Sequence, residues 1–107
     1  MKEAKYLLKL AKAVLAGTDL YPFTEEIVSK IRTRGIRWEA EASSYDNIRI
    51  YGEDNTGGMI MVNGDWNGRK VDLGLFMLES GEYEEIGKKS FHKLDALDIA
   101  DWIRRTV

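Results

Sequence analysis

The chain has 107 residues, 16 basic and 18 acidic, with one histidine and no cysteine. That length holds a single domain with a core of its own. A balance of 44% hydrophobic to 32% charged residues excludes intrinsic disorder as the main state. The missing cysteines exclude a disulfide framework, a thiol nucleophile and every cysteine-based zinc or iron–sulfur centre.

Residues 2–16 predict an amphipathic helix, with Ala4, Leu7, Leu8, Ala11, Val14 and Leu15 on one face and Lys2, Lys5, Lys9 and Lys12 opposite. Gly17 is placed to end it in a left-handed conformation. The lysines are spread along this repeat with no apolar stretch behind them, so a signal peptide is not expected and a cytoplasmic setting is. Pro22 breaks the connector that follows. Thr24 reads as the N-cap of a second helix, with Glu25 and Glu26 in its first turn, Ile27, Val28 and Ile31 on its apolar face, and Gly35 at its end.

From Ile36 the hydrophobic period falls from 3.6 to two. Strands are predicted over 36–42, 48–51, 59–66 and 69–78, and a fifth over 82–87 whose alternation is poor. Asn67-Gly68 predicts a two-residue type I′ hairpin, because both central positions need positive φ. Such a turn would set Trp66 against Arg69, Asp65 against Lys70, Val62 against Leu73 and Ile60 against Leu75. Asp95 is the expected N-cap of a last helix, with Ala96, Ile99, Ala100, Ile103 and Val107 along one face. No apolar run approaches the ~20 residues of a membrane-spanning helix. The expected fold is one α+β domain over residues 1–107: two N-terminal helices, an antiparallel meander of four to five strands, and a C-terminal helix packed on the sheet.

The meander has two apolar faces. The expected register gives one to Ile60, Val62, Val71, Leu73, Leu75 and Met77. It gives the other to Met59, Met61, Gly74, Phe76 and Leu78, with Tyr51 beside Met61. A solvated sheet face is mostly polar, so the second face either lies under a helix or receives a partner. On the partner reading Tyr51, Met59, Met61, Phe76 and Leu78 are the anchors. Trp66, expected in an exposed loop, is a further hot spot because Trp buries a large area at low entropy cost.

Catalytic equipment is not recognisable. His92 has no identifiable nucleophile near it in sequence. Asp95, Asp98 and Asp101 are accounted for by capping, by the helix dipole and by Arg105 four residues on. The stretches 54–58 and 65–68 lack the spacing and terminal glutamate of a calcium loop, and Gly57-Gly58 lacks the Lys-Ser/Thr of a phosphate loop. Glu79, Glu82, Glu84 and Glu85 crowd one hairpin tip rather than converging from separate elements. No catalytic, cofactor or metal residue is therefore assigned.

The net charge of −2 is unevenly spread, with +4 on residues 1–37 and −6 on the remainder. Lys30, Arg32, Arg34 and Arg37, followed by Trp38 and joined by the N-terminal lysine stripe, suit phosphate contact with base stacking. Against this, the sequence pI is near 5.4, and strand alternation points Arg37 and Trp38 to opposite faces. The expectation is a small non-catalytic interaction module, adaptor or inhibitor in type, such as phages and other mobile elements carry. It would bind a protein partner or itself through the apolar sheet face. Nucleic-acid binding through the basic segment is the second reading, and an enzyme with an unfamiliar site the third.

Overall fold

The computed structural model describes residues 20–41 and 47–107. The helix expected over 2–16 lies outside them, so two N-terminal helices are not borne out. The described elements are helix α1 (Tyr21–Lys30), strands β1 (Ile36–Ala40), β2 (Asn47–Asp54), β3 (Met59–Trp66), β4 (Val71–Glu79) and β5 (Glu82–Phe91), and helix α2 (Ala96–Thr106). The strands form one antiparallel sheet in chain order. The fold is therefore an α+β meander with one mid-chain and one C-terminal helix.

Helix α1 starts earlier than expected. Pro22 sits in its first turn, where its missing N–H is no loss and its fixed φ suits the helix. Thr24 is not the N-cap. It is fully buried, and its hydroxyl donates to the Leu20 carbonyl at 2.9 Å. Helix α2 begins as expected, with the Asp95 carboxylate accepting from the N–H groups of Leu97 and Asp98 at 3.0 and 3.1 Å.

Both helices lie on one face of the sheet. Helix α1 covers β1 and β2, α2 lies against β5, and the two touch each other. Between them and the sheet sit Phe23, Ile27, Ile99, Ala100 and Ile103 from the helices, with Ile48, Ile50, Ile60, Val62, Val71, Leu73 and Leu75 from the strands. Glycines on this face let neighbours close in. The Trp38 ring lies over Gly52, where a methyl would stand 2.8 Å from it, and its indole N–H donates to the Thr33 hydroxyl at 2.7 Å. The Trp102 and Phe91 rings meet edge to face at 5.7 Å.

The β3–β4 connection departs from the expected turn. Ile60 pairs with Met77, Val62 with Leu75 and Trp66 with Val71, two residues beyond the expected register. Asn67 is not among the residues with positive φ, so a type I′ turn does not form there. Its side-chain oxygen instead accepts from the N–H groups of Arg69 and Lys70, closing a four-residue connection. The primed geometry appears one hairpin later, at Ser80 and Gly81, whose φ values are 51° and 84° between the paired Glu79 and Glu82. Because the slip is an even number of residues, every side chain keeps its expected face. The expected Asp65–Lys70 pairing is lost; Lys70 meets Asp72 at 3.7 Å. Strand β5 runs four residues beyond the expected 87, and its register shifts opposite Leu75 and Phe76, which is why its alternation is poor.

Gly64 tests the closeness of β3 and β4. A methyl there would run into the Asp72 carbonyl oxygen and the Leu73 side chain. Gly64→Ala is expected to cost about 1–3 kcal/mol in urea unfolding, whereas Gly64→Ala with unchanged stability would contradict this packing.

Candidate interaction face

The sheet face turned away from both described helices is built by strand alternation. Tyr51, Met61 and Phe76 are cross-strand neighbours on β2, β3 and β4 and form a continuous apolar row. Met59 lies beside Glu53, and Leu78 is opposite Tyr83. The five expected anchors Tyr51, Met59, Met61, Phe76 and Leu78 are all half-buried, and Tyr83, which sequence reasoning missed, is 42% exposed. A groove of about 310 Å³ opens at the β1 side, lined by Arg37, Glu39, Tyr51, Glu53 and Met59 among others.

Trp66 does not join this face. It is buried beside Val71 and Val62 on the helix-covered side and belongs to the core, not to an exposed loop. Its pairing with Val71 on the helix side removes it as a hot spot.

Charges frame the apolar row. On one side of it Arg37 of β1 meets Glu53 of β2 at 3.3 Å. On the other side Glu41, just past β1, meets Arg49 of β2 at 3.8 Å. The two ion pairs have opposite polarity along the strands. Burial first, and then the neighbouring Glu41 carboxylate, push the Tyr51 phenol above its ordinary value of 10.0. Farther along, the face turns polar, with the Asn47 amide donating to Asp65 at 2.7 Å and the Ser90 hydroxyl to Asp72. The Ser90 bond is the main reason the Asp72 carboxyl lies below the ordinary carboxylate range.

The basic segment is dispersed. Lys30 ends α1, Arg32 and Arg34 are exposed on the connector, and Arg37 is on β1 with Glu53 as partner. Trp38 packs toward the core, away from Arg37. His92 is exposed beyond β5. Among the described residues no group of three or more His, Cys, Asp or Glu could hold a metal ion, and no helix is long and apolar enough to cross a membrane. The face is an apolar strip with adaptable methionines, rigid aromatics and a charged frame. No family model, no curated protein and no solved structure matches the chain.

Asp54 shapes the β2–β3 loop that delivers Met59 to this face. Its carboxylate accepts from the Thr56 hydroxyl, the Thr56 N–H and the Gly58 N–H at 2.7–2.8 Å. The Thr56 hydroxyl is the first of the causes that hold it below the ordinary 3.8. A carboxyl with a depressed folded pKa stabilises the fold above its unfolded value and loses that contribution as pH falls through the folded one. Asp54→Asn should therefore be less stable than the wild type at neutral pH in urea unfolding, and the gap should close as pH falls through the depressed folded value of the carboxyl. A gap independent of pH would contradict the assignment.

Proposed function

We propose that the protein is a small non-catalytic interaction module, adaptor or inhibitor in type, which binds a protein partner or a second copy of itself through the Tyr51–Met61–Phe76 face. The observation that carries this reading is the continuous cross-strand row of Tyr51, Met61 and Phe76 on the side of the sheet opposite both described helices. Covering such a row removes apolar surface from water at roughly 25 cal/mol per Å². Tyr51 and Phe76 supply rigid area, Met59 and Met61 adapt to an irregular partner surface, and the ion pairs of the frame supply orientation. The basic segment is the weaker alternative, since Arg37 is committed to Glu53 and Trp38 faces the other way.

Met61 stands at the centre of the row and is half-buried, so a charge there removes binding while leaving the core alone. Met61→Glu should weaken partner capture at least about tenfold, because an unpaired charge at the centre of an apolar interface is costly. The far-ultraviolet circular dichroism of the variant should match the wild type. A folded Met61→Glu protein that captures the same partner with equal strength would sink the proposal.

A further inference from the structure

Resting on that reading, we infer that the occupant of the face is a second copy of the chain, related by a two-fold axis that lies in the interface along the Tyr51–Met61–Phe76 row.

The charge layout carries the inference. Strand register fixes four same-face rows; the polar one of Asn47, Asp65, Asp72 and Ser90 lies beyond β1, and the other three form the frame. The middle one runs Glu39, Tyr51, Met61, Phe76, Glu85. On one side of it stand Arg37, Glu53, Met59, Leu78 and Tyr83. On the other stand Glu41, Arg49, Asn63, Gly74 and Lys88, with Glu41 joined by its N–H to the Arg49 carbonyl. A half-turn about the middle row exchanges the outer two. Arg37 of one copy then faces Glu41 of the other, Glu53 faces Arg49, and Tyr83 faces Lys88. Each of these contacts occurs twice, and each is an attraction, the last a cation over an aromatic ring. Tyr51, Met61 and Phe76 stack on their own symmetry mates at the centre. A half-turn about the strand direction instead sets Glu39 against Glu85 and Asp65 against itself. That axis also pairs Arg37 with Tyr83 and Glu41 with Lys88, but it forfeits the Glu53–Arg49 attraction that the first axis makes twice, so the first axis carries more attractions against fewer like-charge contacts.

Size agrees with a modest dimer. Five strands and three same-face rows give a footprint of roughly 500 Å² per copy at ordinary strand spacing and rise. The total, about 1,000 Å², is at the lower limit for a specific interface, so the association is expected in the micromolar range and to exchange rapidly. The axis also brings Glu39 and Glu85 each to its own mate at the rim, so neutralising either should tighten the dimer.

The test is sedimentation equilibrium of the full chain from about 10 μM to about 1 mM. The wild type should dimerise in this range. Met61→Glu should be monomeric. Arg37→Glu and Glu41→Lys, each alone, create two like-charge contacts and should associate at least about tenfold more weakly. An equimolar mixture of the two restores both attractions and should recover a heterodimer of wild-type strength. Arg37 is 85% exposed, so its variant keeps the fold. Glu39→Gln should associate more tightly than the wild type. A wild type that stays monomeric overturns the proposal, whether another protein or other residues of this chain take the face. So does a mixture no tighter than its components, a dimer indifferent to Met61→Glu, or a Glu39→Gln protein that associates more weakly. Capture of a different protein through Met61 by a monomeric wild type would leave the module reading standing and remove the self-association alone.

Discussion

The pairing of β3 with β4 is the constraint on which the rest depends. Side chains along a strand alternate with a period of two, so the register of this central pair assigns each residue of the meander to the helix side or to the side opposite the described helices. Val62 opposite Leu75 puts Ile60, Leu73 and Val71 under the two helices. The same pairing puts Met61 opposite Phe76 on the other side, next to Tyr51. A slip of one residue would exchange the two faces, leaving Leu73 and Leu75 in water and Phe76 in the core. The buried aliphatics forbid that slip because each is worth about 1.5–3 kcal/mol when fully covered.

This dependence explains which parts of the molecule were legible in the sequence. Alternation alone sorts the strand residues into the two faces, because it reads parity and not register, but it does not say which face the helices cover. The turn was not legible in the same way. Asn67-Gly68 carries the composition of a type I′ hairpin, but the Asn67 side chain satisfies the N–H groups of Arg69 and Lys70 and draws two more residues into the connection. Tertiary packing settles the choice: the longer loop brings Trp66 opposite Val71 within the core. The burial of Trp66 follows from that pairing with Val71, which local turn composition does not reveal. The even slip spared every other assignment.

Helix α1 and strand β5 were partly legible for local reasons. Two helix-start signals compete within three residues, and Pro22 prevails over Thr24 because it fits the first turn, while burial turns the Thr24 hydroxyl back onto Leu20. In β5 the register shift opposite Leu75 and Phe76 breaks the period of two in midstrand. The broken period hides the last four residues of β5 and leaves Tyr83 without an assigned face. The charged frame, Arg37 with Glu53 and Glu41 with Arg49, needs the β1–β2 register, which alternation alone does not give.

The central claim is that the Tyr51–Met61–Phe76 face is built to be covered by another molecule. The most direct measurement is nuclear magnetic resonance of methionine methyl groups in the presence of a soluble paramagnetic agent, because three of the four methionines report on the two sides of one sheet. Met59 and Met61 lie on the open face, and Met77 packs against the core. In dilute protein the account predicts stronger broadening of Met59 and Met61 than of Met77, which is partly buried against the core. As concentration rises, or a captured partner is added, Met59 and Met61 should become protected while Met77 stays unchanged. Equal protection of all three at every concentration would mean that the face is a second core, and the account would be wrong.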